Sequence, residues 1–588
     1  MASQEQSQPP AQSDPSAEPV SEQKPQVDIY EQMKTLTDEE KNLCQEKILE
    51  FITSLYTKGL IYKLRESGVK HLPLALYPSP IPRNLFDKIF FYQIAFNKIL
   101  NKLSNDQPYL EKVLEPIASK NNFVQKLLEI SKKSFAYEKK QKIKLGIFRN
   151  DYLLDKDQKF LFLQEYKTSL DDFGSYTNSL LNFYNYFNGK YPNVFSKYNG
   201  KEKEIPQNKG NTIEKLTEAI VEAIKLAFPQ DYKDSLLIFV TQKKFDFDLQ
   251  NLINELFDKH KLKCEKLSLS EITKKVTKDE EGNLKLNDNK VSLVYFNSGD
   301  KEEDYQDEDS WKARELIELS TAVKVPDINT FLTSFKAFHY YLSKPDVIMH
   351  YNYNDLILND ILRFFGGIYY VPDLERDKEA ELFNKIQSEP NKYILKTFKG
   401  KKNDLTGEKL KSLVAGASEE LNNGIILEKC TPPEHETLVI KNEKCAVESS
   451  ISEFSVYGII LMNENNLVMN KSVSYLVKTL NKDNSDNFEN VLGDESENVY
   501  LDLPCLVDTK LEPNLTHKIE VKAEDIQKYL DDLKAEEEAK RKKEEEEKRI
   551  AEEEAKKKAE EEEAKKKAEE EAKKKEEEAK VEEPKAES

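Results

Sequence analysis

Between residues 234 and 334, short apolar runs alternate with segments of helical period. The first run, Ser235–Val240, is apolar throughout after its first residue, as expected for a strand that is covered on both faces. The other segments are a helical pattern at 246–260, strands at Cys264–Leu269 and Val291–Phe296, and a helix at Ser310–Val323. Strands that alternate with helices usually form a parallel sheet, because each helix carries the chain back to the start of the next strand. The segment therefore predicts a small α/β domain with a parallel core.

The segments on either side of this domain predict an α+β body. Helical patterns dominate 27–128, where Thr37 and the acidic residues after it mark a helix N-terminus. The runs Lys144–Phe148 and Phe160–Tyr166 flank a polar turn and predict an antiparallel hairpin. Helices are also predicted at about Leu85–Leu103 and Asp355–Phe365, and strands at Tyr393–Lys396, Ile425–Glu428, Glu436–Ile440 and Phe454–Leu461.

The two ends of the chain differ from this body in composition. Residues 1–27 are rich in Pro, Ser, Gln and Glu, which predicts disorder because they can bury little apolar area. Residues 506–588 predict a linker and a charged helical tail, and their last part, 535–588, holds 23 Glu and 17 Lys and Arg. Glu blocks precede Lys blocks by three or four residues, which favours one solvated helix from Glu524 to Val581. A partly disordered solubilising tail is equally compatible, and a coiled coil is poorly supported because apolar a and d positions are lacking.

Charge and motif content exclude several classes of function. A net charge of −19 argues against a nucleic-acid-binding surface. The sequence has no run of about 18 apolar residues, so no membrane span is expected, and it shows no signal or transit pattern. Five dispersed cysteines without a CxxC pair favour a reducing, cytoplasmic compartment. Neither GxGxxG nor GxxxxGK[ST] is present, and the six histidines are not spaced as metal ligands.

Eight sequence segments follow one another between residues 71 and 479. They read HLPLALYPSPIP, GIFRNDYLL, QEYKTSLDDFG, VKVPDINTFLTSFK, ILKTFKGKKNDLTGE, ILEKCTPP, ISEFSVYG and NLVMNKSVSYLVKT. In order and spacing they resemble the eukaryotic glutathione synthetase family over about residues 30–500. The resemblance implies an ATP-grasp fold, built from the parts 28–233 and 335–505 around the inserted α/β domain at 234–334, and it suggests a homodimer.

The resemblance also implies a reaction and a set of site residues. The family joins gamma-glutamylcysteine to glycine with ATP and magnesium, through an acyl phosphate that the glycine amine attacks. Such chemistry requires lysines at the triphosphate, oxygen ligands for magnesium and a guanidinium for the dipeptide carboxylate. By motif position the nucleotide contacts are Lys336, Lys396, Asn403, Leu427, Glu428, Lys429 and Glu453, the substrate contacts are Arg149 and Lys478, and the metal ligand is Glu165. The residues expected to converge on one pocket are Glu165, Lys336, Lys396, Glu428 and Glu453.

Several positions depart from the family pattern, and they coincide with the expected site. Lys167 stands where the family has an asparagine metal ligand, and an ammonium has no lone pair to offer a cation. Lys399 and its neighbours replace the second metal glutamate and a glycine-rich loop, so magnesium binding is doubtful. Lys478 replaces the arginine at the dipeptide carboxylate, which exchanges a bidentate fork for a point charge. Further substituted positions are Leu170, Asp172, Asn297–Asp300, Leu480 and the acidic stretch Asp483–Glu497.

Two hypotheses from different classes follow from this pattern. The clustered substitutions favour a pseudoenzyme, an ATP-grasp fold kept as a binding or structural module whose charged tail docks an unknown protein partner. The alternative is an active glutathione synthetase with a drifted site, which the four retained family positions support. These positions are Glu165, Lys336, Lys396 and Glu453. A ligase for another acid and amine is a third hypothesis.

Overall fold

The protein's computed structural model describes most of the chain before residue 509. The described residues are 29–64, 68–157, 160–169, 174–243, 245–351, 355–398, 404–482, 498–508 and Arg549. Apart from Arg549, they lie in one compact unit, Met1–Lys518. The predicted disordered segment at 1–27, the predicted tail helix except for Arg549, and the predicted site residue Asn403 therefore lie outside the described residues.

The secondary structure of this unit mixes helices and strands, which confirms the predicted helix-and-sheet composition. The strands are β1 (Ile61–Leu64), β2 (Gly68–His71), β3 (Leu74–Ala75), β4 (Ser79–Pro82), β5 (Ile143–Leu154), β6 (Leu161–Lys167), β7 (Lys203–Glu204), β8 (Leu236–Val240), β9 (Lys263–Leu267), β10 (Val276–Lys278), β11 (Leu284–Leu286), β12 (Asn289–Phe296), β13 (Val323–Val325), β14 (Ile368–Tyr369), β15 (Tyr393–Thr397), β16 (Leu405–Thr406), β17 (Gly424–Glu428), β18 (His435–Lys441), β19 (Lys444–Asn463), β20 (Asn466–Asn481), β21 (Val499–Asp502) and β22 (Pro504–Val507). The α-helices are α1 (Ile29–Met33), α2 (Asp38–Thr57), α3 (Arg83–Asn105), α4 (Gln107–Ala118), α5 (Asn122–Ala136), α6 (Ser175–Lys190), α7 (Pro192–Phe195), α8 (Thr212–Ala227), α9 (Phe247–His260), α10 (Leu269–Lys275), α11 (Glu308–Glu318), α12 (Ile328–Leu332), α13 (Lys336–Leu342), α14 (Pro345–Tyr351), α15 (Asp355–Arg363), α16 (Arg376–Ser388) and α17 (Glu408–Ala415).

The largest sheet in the described residues has the strand order β18-β3-β21-β20-β19-β5-β6. Its pairs are antiparallel except for a parallel contact between β21 and β3. The long strand β19 pairs with β20 on one side and with β5 on the other, and α3 and α8 pack against the sheet. The predicted hairpin is confirmed, because β5 and β6 pair antiparallel with Leu154 opposite Leu161.

A second sheet contains the predicted parallel strands. Strand β8 pairs in parallel with β9 on one side and with β12 on the other, and β12 pairs in parallel with β13. Every residue of β8 is buried, as expected for a strand that is covered on both faces. The antiparallel strands β10 and β11, which the sequence did not predict, extend the sheet beside β12. The domain limits at 234 and 334 stay a prediction.

Two predicted boundaries in this sheet are wrong. The helix predicted to reach Val323 ends at Glu318, and Val323 begins β13 instead. Val323 and Val325 are β-branched and favour extended backbone. Val325 also directly precedes Pro326, and a proline disfavours helix in the residue before it. The strand predicted to reach Leu269 ends two residues earlier, because the side chain of Ser268 caps the N-terminus of α10.

A smaller antiparallel sheet, with the strand order β14-β17-β15-β16, has a hydrophobic cluster on each face. One cluster joins the sheet to α16 and α17, and it contains Leu382, Ile386, Tyr393, Leu395, Leu410, Val414, Leu421 and Ile426. On the other face, Tyr340 of α13 packs against Ile394, Ile425 and Leu427. This packing places α13, whose first residue is Lys336, against the strands that carry Lys396 and the predicted nucleotide hinge.

The N-terminal helix α2 begins where the sequence predicts. The hydroxyl of Thr37 accepts a hydrogen bond from the backbone N–H of Glu40, and the Glu40 carboxylate accepts one from the N–H of Thr37. This reciprocal capping box satisfies two N–H groups that a helix N-terminus otherwise leaves without partners. None of the helices in the described ranges combines the length and the apolar character needed to cross a bilayer.

Candidate functional site

The first pair of predicted site residues forms an ion pair between the large sheet and α13. Glu165 lies on β6 and Lys336 is the first residue of α13, and the Lys336 Nζ donates to the Glu165 Oε1 over 2.6 Å. The two side chains are 18% and 21% exposed. An ammonium at this position can bind a phosphate, although the carboxylate of Glu165 already neutralises part of the ammonium's charge.

The second predicted lysine makes a similar contact in the smaller sheet. Lys396 lies on β15, and its Nζ is 3.1 Å from Oδ2 of Asp404. The other carboxylate oxygen of Asp404 accepts a hydrogen bond from the Thr397 N–H at 2.9 Å, so this carboxylate also closes the turn after β15. Asp404 is not among the site residues that the sequence predicts. Its position eight residues beyond Lys396, within the same motif, is the only signal for it in the sequence.

A buried histidine lies within the electrostatic influence of both lysines. His339 follows Lys336 by one helical turn, and its ring lies 5.8 Å from that of Tyr166 and 5.5 Å from that of Phe365. The pKa of His339 is lowered to about 3, chiefly by burial and also by the charges of Lys336 and Lys396, while Glu165 opposes the shift. The charges of all three predicted residues therefore act on one imidazole, which stays neutral. Its Nε2 has no hydrogen-bond partner among the described residues.

The predicted hinge lies at the end of β17. Leu427 is buried between Ile368 of β14 and Ile394 of β15. The N–H of Glu428 donates to the Gly367 carbonyl at 2.8 Å, and the N–H of Lys429 donates to the Lys392 carbonyl at 2.7 Å. Both N–H groups of this hinge thus already have backbone partners. A Cβ at Gly367 would stand 2.7 Å from the carboxylate of Glu428, so this position admits no larger residue without movement.

The remaining predicted residues form a buried ionic network in the large sheet. Arg149 donates through Nε and Nη2 to the two carboxylate oxygens of Asp151, at 2.7 and 2.9 Å. Lys478 is paired with Glu453 and lies 4.0 Å from Oδ2 of Asp151. All four side chains are at most 4% exposed. Asp151 is not among the predicted site residues, although its spacing of two residues from Arg149 on a strand puts the two on one face.

Burial and charge act in opposite directions on the two carboxylates of this network. Burial alone would raise the pKa of Asp151, but Arg149, Lys478 and Lys167 together hold it well below its usual range. At Glu453 burial dominates, and the pKa lies above the usual value despite the ammonium of Lys478. The network is therefore centred on Asp151 as a permanent charge with two cations around it.

Strand register places this network and the Glu165 pair on one face of the large sheet. Asp151 lies opposite Glu165, and Arg149 lies opposite Lys167, on the paired strands β5 and β6. Glu453 lies opposite Lys478 on β19 and β20, and opposite Leu153 of β5. Cross-strand partners and residues two apart share a face. That Glu428 joins the same pocket stays a prediction.

The described residues around Glu165 do not fit a magnesium ion. Magnesium requires nearly octahedral oxygen ligands. One oxygen of Glu165 already accepts from the Lys336 ammonium, and Lys167 contributes a positive charge where an oxygen ligand is expected. Within the described ranges, no group of three or more His, Cys, Asp or Glu side chains is arranged to hold a metal ion.

Comparisons with known proteins identify the family to which the chain is similar. A family profile described as "Eukaryotic glutathione synthase, ATP binding domain" matches residues 31–489. The glutathione synthetase of Dictyostelium discoideum is 26% identical over 425 residues, which cover 70% of this chain and 87% of the relative. The human glutathione synthetase is 26% identical over 421 residues, which cover 70% of this chain and 86% of the human protein. The solved apo structure of a glutathione synthetase-like effector from Globodera pallida has a TM-score of 0.62 at 16% identity, and it covers 79% of this chain and 97% of the effector.

Proposed function

The chain belongs to the eukaryotic glutathione synthetase family, and we propose that it is a pseudoenzyme that retains an ATP-grasp fold and a weakened nucleotide site. The family binds ATP, and its substrates are gamma-glutamylcysteine and glycine. In this proposal the parts 28–233 and 335–505 form the ATP-grasp body around the inserted domain 234–334, in a cytoplasmic protein.

The observation that carries the proposal is the buried network of Arg149, Asp151, Glu453 and Lys478. The family resemblance assigns Arg149 and Lys478 to the dipeptide. Here both cations contact Asp151, and Lys478 also pairs with Glu453. A substrate carboxylate would have to replace Asp151, which is buried and remains charged. Separating such a pair is costly because it leaves an uncompensated charge away from water.

The nucleotide part of the proposal rests on Lys336 and Lys396. Each contacts a carboxylate, and each is partly exposed, so a phosphate can approach without first opening a fully buried pair. The carboxylate partners would remain nearby and reduce the attraction for a triphosphate. This arrangement supports nucleotide binding that is weak and insensitive to magnesium, because the ligands around Glu165 do not fit that ion.

An active synthetase with a drifted site is the second candidate. It is favoured by the presence of Glu165, Lys336, Lys396 and Glu453 at the family's positions, and by relatives that are themselves named glutathione synthetases. In an active enzyme the network would have to open when the dipeptide enters, with Asp151 moving away from Arg149.

Calorimetric titration and a turnover assay test the proposal together. Full-length protein is titrated with ATP with and without magnesium, and glutathione formation is measured from gamma-glutamylcysteine, glycine and ATP. We expect weak binding that magnesium does not strengthen, no glutathione, and loss of binding in Lys336→Met. The control Lys144→Met removes a lysine of similar exposure whose carboxylate partner, Asp327, lies 3.3 Å away, and it should bind as the wild type does. Magnesium-dependent turnover in the range of about 1–10³ s⁻¹ would establish the active synthetase instead.

A further inference from the structure

A chain of hydrogen bonds connects a carboxyl group in the core to a histidine that is partly accessible to solvent. Ser79 of β4 donates to Oδ2 of Asp502 at 2.5 Å, and its Oγ lies 2.9 Å from Nε2 of His435. Asp502 ends β21, and His435 begins β18. Ser79 and Asp502 are each 1% exposed, whereas His435 is half-buried. One hydroxyl therefore bridges an interior carboxyl and an imidazole near the surface.

Two further hydroxyls belong to the same buried cluster. Thr479 of β20 donates to Oδ2 of Asp502 at 2.5 Å, and its Oγ1 lies 2.6 Å from Oγ of Ser452 on β19. Ser452 also donates to Ser79 at 2.9 Å and lies 3.4 Å from Nε2 of His435. Of the two hydroxyls near the ring, that of Ser79 makes the shorter contact. The direct path from the carboxyl to the imidazole therefore runs through Ser79.

Strand register places this cluster on the opposite face of the large sheet from the Asp151 network. Ser452 lies opposite Thr479, and the adjacent residues Glu453 and Lys478 lie opposite each other. Successive residues of a strand point to opposite faces of the sheet. The hydroxyl cluster and the buried ionic network therefore occupy the two sides of the same pair of strands.

Two titratable groups belong to the cluster, and burial shifts both. Burial raises the pKa of Asp502 to about 7, and burial together with the charge of Lys34 lowers the pKa of His435 to about 4. The strands around them contribute hydroxyls from β4, β19 and β20 and only apolar side chains from β3. The charged side chains of the segments next to the ring form ion pairs of their own, and they are Lys34, Glu434 and Glu436. Between pH 5 and 8 the imidazole therefore stays neutral while the carboxyl changes its charge.

The charge of the carboxyl decides which nitrogen of the neutral imidazole holds the proton. An ionised Asp502 can only accept hydrogen bonds, so Ser79 donates to it and accepts from an Nε2–H of His435. A protonated Asp502 can donate to Ser79, whose own proton then turns to Nε2 and leaves the ring proton on Nδ1. The two states use the same heavy atoms and the same distances, and they differ only in the direction of donation.

We propose that Asp502, Ser79 and His435 form a proton relay, in which uptake of one proton by the buried carboxyl changes the histidine from the Nε2–H to the Nδ1–H tautomer. The change converts Nδ1 from an acceptor into a donor. It occurs beside the attachment of the N-terminal segment, because Glu436, which follows His435, donates its N–H to the Lys34 carbonyl at 2.8 Å. The inference does not depend on the proposed function, because it requires no nucleotide or ligase activity.

The relay exchanges one proton with solvent through three transfers. When the carboxyl is deprotonated, Nδ1 of His435 releases its proton to water, Nε2 takes the proton of the Ser79 hydroxyl, and Ser79 takes the proton of Asp502. Two protons remain within the chain on new atoms, and the third is carried away by water. Uptake of a proton at lower pH reverses these transfers. Each transfer inside the protein crosses one existing hydrogen bond of 2.5 or 2.9 Å, so water does not have to enter the interior.

The test follows the ring nitrogens of His435 by ¹⁵N NMR from pH 5 to 8, in the full-length protein with labelled histidines. The variant His435→Gln assigns the signals. In the wild type we expect the Nδ1–H tautomer at pH 5 and the Nε2–H tautomer at pH 8, with a midpoint at about pH 7 that is set by the carboxyl. In Asp502→Asn the amide always donates to Ser79, so the ring should hold the Nδ1–H tautomer throughout. In Ser79→Ala the change of tautomer should be lost.

Two controls distinguish the relay from a general effect of pH. Ser450→Ala removes a buried hydroxyl directly opposite His435 that has no hydrogen-bond partner in the described part of the chain, and it should leave the midpoint unchanged. His339 is a reference within the same spectrum, because it is also buried and neutral, and it should keep one tautomer over the whole range.

Three results would overturn the proposal. One is a single tautomer of the wild-type His435 from pH 5 to 8. Another is an imidazolium at this position within that range, which would mean that the histidine titrates itself. The third is a change of tautomer that keeps the wild-type midpoint in Asp502→Asn or in Ser79→Ala. The wild-type titration alone tests the first two results, so the proposal stays testable if a variant fails to fold.

Discussion

Two groups of ion pairs in this molecule involve the same kinds of side chain but differ in burial. The side chains of Lys336, Lys396 and their carboxylate partners are 11–21% exposed. Each side chain of the network around Asp151 is at most 4% exposed. At a partly exposed pair, water can solvate either partner when the other leaves, so the pair contributes little and opens easily. In the interior, removal of one partner leaves a charge that nothing solvates. In the proposed site, burial therefore distinguishes the group that we expect to accept a ligand from the group whose cations are already paired with the protein's own carboxylates.

The largest effect is expected when one carboxylate is removed from each group and the free energies of unfolding are compared. Asp151→Asn leaves Arg149 and Lys478 without their shared anion, and we expect it to lower the free energy of unfolding by about 3–5 kcal/mol. Asp404→Asn removes the partner of Lys396 and should cost less than about 1 kcal/mol. Urea unfolding of both variants gives the two numbers. Equal losses would show that burial does not distinguish the two groups.

A buried carboxylate that forms no ion pair within the described part of the chain extends the comparison. Asp502 is 1% exposed and accepts hydrogen bonds from the hydroxyls of Ser79 and Thr479, both at 2.5 Å, and from the Leu503 N–H at 2.6 Å. The imidazole Nε2 of His435 lies 2.9 Å from Ser79 Oγ and, through it, ends this chain of hydrogen bonds. Burial raises the pKa of Asp502 to about 7. Asp151, which has cations, shows the opposite shift.

The opposite shifts predict opposite pH dependence. The folded pKa of Asp502 lies above the unfolded value of about 3.9, so the protonated carboxyl stabilises the fold fully below about pH 4. As pH rises towards 7 this contribution is lost, which lowers the free energy of unfolding by about 2–4 kcal/mol. Asp151 contributes above its unfolded pKa and loses that contribution in acid. Asp502→Asn, whose neighbouring hydroxyls can turn to accept from the amide, should therefore be more stable than the wild type at pH 8. Unfolding measured from pH 4 to 8 checks this, and a variant with the slope of the wild type would exclude Asp502 as the titrating group.

The smallest expected effect concerns ATP binding at the partly exposed pair of Lys396 and Asp404. Asp404→Asn frees the ammonium of Lys396, and we expect ATP to bind about two- to fivefold more tightly, which corresponds to the value of one partly exposed ion pair. The matched change Asp327→Asn, beside Lys144, should leave ATP affinity unchanged. Titration calorimetry at two salt concentrations measures both variants, and the gain should shrink at high salt. Unchanged affinity in Asp404→Asn would remove Lys396 from the nucleotide site.

Local signals made much of the fold predictable. The capping box at Thr37, the hairpin of β5 and β6 and the apolar strand β8 depend on neighbouring residues, so their patterns are visible in the sequence. The end of α11 is predicted too late because residues 319–322 contain no Gly or Pro that would mark a helix end, whereas the actual boundary is set by the pairing of β13 with β12. Strand pairing of this kind is set by tertiary contacts, which a single sequence does not show.

The candidate site was only partly predictable for the same reason. Motif order predicts the lysines and Arg149 as site residues, but the partners of these side chains depend on contacts across the fold. Asp151 was missed because its role comes from Lys478, which reaches it from β20. His339 was missed because its low pKa requires burial together with the charges of Lys336 and Lys396. A sequence identifies which charges are available, and the fold decides which of them meet.

The long strand β19 also has a mechanical consequence. It runs without interruption from Lys444 to Asn463, with Cys445 near its start and Glu453 in its middle. At a rise of roughly 3.3 Å per residue these two positions lie about 26 Å apart. Along this length the strand is hydrogen-bonded to β18, β20 and β5 in turn, so a pull along its axis is shared by many bonds in shear. Force applied at either end of β19 would therefore be borne by the same strand that carries Glu453.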